Sequence, residues 1–289
     1  MILDLVLVDW RWRLEVAAVL LGLGLLYGAG WVRLRRAHPA LAPVWRLATY
    51  QGGLATVALA LLSSLHGLAE ISFTAHMVQH QLLFMVAAPA LLLGNPFPYT
   101  VWGLPAAARR GLQRFLVEGR PARRALRALT WPPVAGLLYA VTLWVWHWPA
   151  AWEAALRHWW VHDLEHLTFF GTAALFWWPV INPAPRARGR RGGLYYGVRI
   201  AYLVVATAQN TLLGAVLSLT ERVLYPSYAL GAGRFGLSPL EDQALGGGIM
   251  WSSGHMYLVA ILVLVWQALD SEGSHRTARP APGGEGLLR

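Results

Sequence analysis

Seven apolar stretches, at about residues 14–32, 45–66, 74–93, 132–150, 161–181, 198–220 and 243–267, dominate this chain. Each is long enough to cross roughly 30 Å of hydrocarbon at about 1.5 Å of helix rise per residue. Composition agrees: 56% of residues are hydrophobic, 13% are charged and the mean hydropathy is +0.44. A soluble domain is excluded. The expected fold is all-α: a polytopic integral membrane protein, a bundle of seven transmembrane helices in one domain over residues 1–271. Residues 272–289, with Gly283, Gly284 and several prolines, are expected to form a disordered cytoplasmic tail. Asp4, Asp9, Arg11, Arg13 and Glu15 interrupt the first residues, so no cleavable signal peptide is expected there.

Charge orients the bundle. All 24 basic residues are arginines, and 19 fall in or beside alternate connections: Arg33 to Arg46, Arg109 to Arg127, Arg186 to Arg199, and Arg276, Arg279 and Arg289. By the positive-inside rule the N-terminus lies outside and the C-terminus inside. The net charge of +10 is therefore a topogenic and headgroup-binding feature, not a sign of nucleic-acid binding. Tryptophans at Trp31, Trp45, Trp131, Trp177, Trp178 and Trp266 mark the inner boundary. A second set, from Trp10 and Trp12 to Trp144, Trp146, Trp148, Trp152, Trp159 and Trp160, marks the outer one. Between 94 and 131, Leu112, Phe115 and Leu116 alternate with Arg109, Arg110 and Arg114 at helical spacing, which predicts a short helix on the inner leaflet.

In this frame six histidines from four segments reach the same outer end. His76 and His80 are four residues apart, as are His162 and His166. Either spacing stacks both rings on one helix face. His66 ends the second stretch, and His147 ends the fourth in Trp146-His147-Trp148-Pro149. His255 is expected near the midplane beside Met256, with Met250 one turn away. A single such pair is ordinary, and His38, His158 and His275 read as interfacial residues. Two pairs with His147 between them point to a shared site, because ionisable groups in membrane helices face a cavity or one another. The chain has no cysteine, so imidazole would be the principal ligand. That suits copper, zinc, haem iron or nickel, and methionine sulfur from Met77, Met250 or Met256 would favour copper. Asp163, Glu165 and Glu70 are expected at the aqueous rim, orienting imidazoles through their second nitrogens.

Other readings stand beside this one. The imidazoles could form a hydrogen-bonded cluster or proton path without metal. A haem would need opposed imidazoles and small residues such as Gly171 and Gly214 to admit it. A transporter would line its path with His255, Gln209 and Asn210. His162-Asp163-Leu164-Glu165-His166 also fits the H-x-x-E-H metalloprotease pattern.

At these residues the chain resembles the CtaG family of bacterial inner-membrane proteins, the assembly factors of caa-type cytochrome oxidases. The stretches that carry the resemblance are His76-Met77-Val78-Gln79-His80 through Ala88-Pro89 to Leu93-Gly94-Asn95-Pro96, Trp146-His147-Trp148-Pro149-Ala150, His162 to Phe169 with Phe176-Trp177-Trp178-Pro179, and Asp242-Gln243-Ala244-Leu245-Gly246-Gly247-Gly248-Ile249-Met250-Trp251. The resemblance implies a non-enzymatic factor that matures a haem–copper oxidase by delivering copper at the extracytoplasmic side. His76, His80, His147, His162 and His166 match family positions, as do Asp242 and Gln243, which are taken as outer partners of the ligands. His66 and His255 join the ligand set on topology alone. The implied partners are oxidase subunits, the lipid bilayer and a periplasmic copper chaperone.

Overall fold

The computed structural model describes residues 13–115, 121–181 and 193–277. Every regular element among them is helical. We number the helices α1 (Leu14–Ala37), α2 (Val44–Leu62), α3 (Ser64–Ile71), α4 (Phe73–Leu93), α5 (Pro96–Gly103), α6 (Ala106–Phe115), α7 (Pro121–Leu129), α8 (Pro132–Trp146), α9 (Pro149–Arg157), α10 (Trp159–Ile181), α11 (Gly193–Leu219), α12 (Pro239–Ser252) and α13 (Gly254–Thr277). Short helical turns occupy Pro226–Tyr228, Ala229–Ala232 and Gly233–Phe235.

Four of these are long and apolar enough to cross a membrane: α1, α4, α11 from Tyr196, and α12 with α13 as one unit, Pro239–Asp270. Two bent pairs raise the number to six. Pro39–Leu62 with α3 bends by 49°, and α7 with α8 bends by 66°. The remaining stretch expected to span, 161–181, is one continuous 23-residue helix, α10. His162, Asp163, Glu165 and His166 in its first turns dilute its apolarity. The protein is thus an all-helical membrane protein with four to six apolar spans. Expected boundaries shift at both ends. The second stretch breaks at Ser63, whose hydroxyl accepts from Leu65 N–H and starts α3 afresh. At the C-terminal end α13 continues to Thr277, past the expected start of the tail at 272, and residues 278–289 lie outside the described residues. Among its described residues the connection 94–131 holds three short helices instead of one, and α6 and α7 are strongly amphipathic.

The outward faces are apolar, as a bilayer requires: Leu21, Val205, Leu262 and Trp266 are all more than 60% exposed. The main core gathers around α4, which packs against α2, α10 and α12. A smaller core joins α1, α2 and α5, where Tyr27 and Tyr50 stack at 3.9 Å. The Tyr27 hydroxyl sits 2.6 Å from the Gly94 carbonyl, to which it donates. Within α4 the helix widens into a π-turn over Leu82–Ala87 just before Pro89. Proline lacks the N–H that an α-helix would use there, and the widened turn leaves the Phe84 carbonyl to accept from Trp177 Nε1 at 2.9 Å.

The α11–α12 crossing depends on two glycines. A Cβ at Gly247 would sit 2.7 Å from Ser218 N and 2.9 Å from Gly214 O, and one at Gly214 would sit 2.8 Å from Trp251 N. Backbone stands in the way at both positions, and at Gly247 the Ser218 hydroxyl does too, at 2.6 Å. Gly247→Val is therefore expected to lower stability by about 1–3 kcal/mol, the usual cost of overpacking. Thermal unfolding in detergent checks it; an unchanged midpoint would show that the two helices separate freely.

Candidate metal centre

The histidines are set by how α4 begins. Ser72 caps it, its hydroxyl accepting from Ala75 N–H at 3.2 Å. A second cap comes from the other end of the sequence: the Asp242 carboxylate accepts from Phe73 N–H at 2.7 Å, Thr74 N–H at 3.1 Å and the Ser72 hydroxyl at 2.9 Å. A carboxylate at a helix N-terminus satisfies orphan amides and complements the helix dipole. The adjacent Gln243 holds the loop that follows α11. Its Oε1 accepts from Leu224 N–H at 2.7 Å and its Nε2 donates to Arg222 O at 3.1 Å. Neither residue acts as the expected outer partner of a histidine. Asp242 fixes the helix that bears His76 and His80, and Gln243 fixes the segment that carries Tyr225 and Tyr228.

His76, His80, His162 and His166 then converge. Ring centroids are 4.4 Å apart for His76 and His80, 4.4 Å for His162 and His166, 5.3 Å for His76 and His162, and 5.4 Å for His80 and His166. Glu165 lies among them with no solvent exposure, its Oε1 3.7 Å from His80 Nε2 and 4.0 Å from His76 Nε2. The expectation that Glu165 sits at the aqueous rim is corrected. It is three residues after His162, hence on the same helix face, and that face is the buried one. Ligand atoms of His76, His80 and His166 all lie within 4.8 Å of one another, and so do those of His76, His162 and Glu165.

Tyr228 Oη is 2.8 Å from His76 Nδ1, 3.2 Å from Trp152 Nε1 and 3.3 Å from the Ala69 carbonyl. The indole donates to the phenol, and the phenol's one proton goes either to the Ala69 carbonyl, with His76 Nδ1–H donating to the phenol, or to His76 Nδ1. On its other side His76 Nε2 faces His80 Nε2 at 2.9 Å. Two ring nitrogens that close share either a proton or a cation. Burial pushes the Tyr228 and Tyr225 phenols upward, so both remain protonated. Around this pair the polar bonding capacity runs out. Among the described residues His80 Nδ1, His162 Nε2, both nitrogens of His166 and both oxygens of Glu165 are buried without a hydrogen-bond partner. Buried polar groups are nearly always paired, by protein, water or ion.

The other expected ligands fall into three groups. His66 and His147 belong to the same neighbourhood. His66 stacks on His162 at 5.5 Å, and its Nδ1 accepts from Gln79 Nε2 at 3.1 Å. His147 donates from Nδ1 to Leu143 O at 2.7 Å, which leaves a buried Nε2 without a partner among the described residues. Its ring lies against Trp152, which also touches His76 and His80. His255, Met77 and Met256 are not brought in. His255 follows the break at Ser253, its Nδ1 2.6 Å from Ser252 O and its ring exposed. Met77, one residue past His76 and so turned by about 100°, packs toward Gly246. Met256 is 41% exposed on α13. Asp163 is partly exposed, and Arg13 grips it with two bonds of 2.8 and 2.9 Å. Glu70 lines a polar cleft of about 850 Å³ that opens onto His66 and His162.

Sequence reasoning missed Trp152, Tyr225 and Tyr228, the aromatic wall of the cluster. It also missed Glu153, which accepts from Ser227 N–H at 3.2 Å and so ties α9 to that wall. No spacing links residues so far apart in the chain. Ring centroids lie 4.4–6.2 Å apart; a Cβ at Gly214 would meet the backbone of α12, whereas one at Gly171 would meet open space. Asn210 ties α11 to Met250 O at 2.9 Å.

Fold and site together define a helical membrane protein with a buried imidazole–carboxylate cluster. The family model described as cytochrome c oxidase caa3 assembly factor (Caa3_CtaG) matches residues 25–271. The chain belongs to that family. It is 27% identical to an uncharacterized protein of Mycobacterium bovis and, equally, to one of Mycobacterium tuberculosis; each match covers 96% of this chain and 42% of the relative. An uncharacterized protein of Mycobacterium leprae is 25% identical over 93% of this chain and 40% of its own length. The chain thus spans about two fifths of the curated relatives it matches. No solved structure matches it.

Proposed function

We propose that the protein binds copper as cargo at the cluster of His76, His80, His162, Glu165 and His166 and hands it to a haem–copper oxidase during assembly. The observation that carries this is the set of orphaned buried ligand atoms, on Glu165 and His166 above all, gathered where no described residue satisfies them. The donor set is imidazole and carboxylate without thiolate. For such sites divalent copper outcompetes the other common first-row ions. Family membership narrows the recipient to an oxidase. Seven spans, with the N-terminus and the cluster on the extracytoplasmic side, complete the proposal. The polar cleft beside His66 and His162 is then the route by which an ion arrives, from water or from a periplasmic copper chaperone.

Tyr228 acts from outside the ligand set. With His76 Nδ1–H donating to it, the phenol holds the lone pair of Nε2 toward the cluster, and such outer partners typically contribute about 10–100-fold to metal affinity. The test is metal analysis of purified protein loaded with copper or zinc. Wild type is expected to retain copper, a variant with His76, His80, His147, His162 and His166 all replaced by alanine is expected to retain none, and Tyr228→Phe is expected to bind about 10–100-fold more weakly. Equal copper in wild type and the five-histidine variant would overturn the proposal.

A further inference from the structure

The cluster has two tiers. His76 and His162 sit in the first turns of α4 and α10, and His80 and His166 follow about 6 Å further along each helix. Two sets of ligand atoms close within it. His76, His162 and Glu165 form one set, and His76, His80 and His166 form the other. Of these five residues His162 lines the polar cleft, and the other four are not among the walls of that cleft. The His162 ring spans the wall: the residue is 7% exposed, yet its Nε2 is buried without a partner among the described residues. The second set leads away from the cleft, and the rings of His80 and His147 share Trp152 and Phe169 as neighbours.

We propose that one copper ion passes through two successive positions here, an outer one on His162 and an inner one on His80 and His166. His76 and Glu165 border both positions, and the inference rests on the copper reading above. A neutral imidazole has one lone pair. With Nδ1 of His76 bonded to Tyr228, Nε2 is the nitrogen left to serve an ion, and it serves one at a time. Filling one position therefore empties the other, and the chain carries a single ion. The step between them is short. His76 Nε2 is 2.9 Å from His80 Nε2, and Glu165 Oε1 is 4.0 Å from the first and 3.7 Å from the second. The ion gives up its bond to His162 and forms bonds to His80 and His166 while His76 and Glu165 keep hold of it. Its charge is unchanged throughout, and it is never left bare in surroundings where desolvation would go uncompensated.

The experiment follows cupric ion on the full chain in detergent, loaded from buffer and withdrawn by a chromogenic chelator. Wild type is expected to hold one ion per chain. His162→Ala is expected to slow loading and release together, because a step on the path is lost in both directions. His80→Ala is expected to speed release instead, because the inner position is weakened. Changes of at least about tenfold are expected, since even an outer partner of a ligand contributes about 10–100-fold. Free imidazole, which the cleft can admit, is expected to restore fast loading to His162→Gly and to leave His80→Gly as it was. Where alanine unfolds the chain, glutamine at the same position gives the same comparison. Two ions per chain in wild type, or identical kinetics in all three proteins, would overturn the proposal. Faster release in His162→Ala, as in His80→Ala, is the pattern of one undivided site and would overturn it too. A wild type that holds no copper removes the copper reading and this one with it. Copper held with any of the other contrary patterns removes only the two positions.

Discussion

Glu165→Leu is expected to make the metal-free protein more stable while abolishing copper retention. The carboxyl is fully buried, and neither oxygen has a hydrogen-bond partner among the described residues. Burying a polar group in that condition costs about 1–3 kcal/mol. Exchange of buried charged or polar groups for apolar ones of similar size is often neutral or stabilising. The unfolding midpoint of the metal-free variant should rise accordingly. Wild type should gain stability when copper is added, because a ligand that binds only the folded state stabilises it by mass action; the variant should not. The result that sinks this idea is a variant less stable than wild type with copper still bound, since Glu165 would then be a structural acid satisfied in some other way.

Asp242→Ala is expected to act in the opposite sense and at a distance. It removes the acceptor for two backbone amides and one hydroxyl at the start of α4. Hydrogen bonds to a charged acceptor contribute about 1.5–3 kcal/mol each, and the buried donors left behind add their own desolvation penalty. A loss of several kcal/mol is expected, with faster amide exchange over residues 73–76 and weaker copper retention because His76 no longer has a fixed position. Asp242→Asn, which keeps an acceptor but turns an N–H toward one of the donors, should fall between. Unaltered exchange at Phe73 and Thr74 in the alanine variant would show that Ser72 caps α4 unaided.

The helices and the two histidine pairs were legible because both depend on local periodicity. Length and apolarity mark α1, α4 and α11, and spacing of four places His76 with His80 and His162 with His166 regardless of tertiary structure. Depth was harder. Taken alone, a carboxylate in hydrocarbon costs about 2.5–3.5 kcal/mol, which argued for placing Glu165 at the rim. Four imidazoles around it remove it from hydrocarbon altogether, a change visible only once the helices are packed. His255 fails for the converse reason. Its depth suited a site, but the break at Ser253 turns its ring outward. Asp242 and Gln243 were recognised as important without their roles, since a cap supplied across 169 positions of sequence leaves no local trace.

The Arg13–Asp163 pair has a consequence for the two cavities beside the cluster. Both residues line the polar cleft next to His66 and His162, and both line an apolar groove walled by α1, α2, α4 and α10. One bidentate clasp therefore stands in the wall that the two cavities share, and losing it would join a polar space to an apolar one.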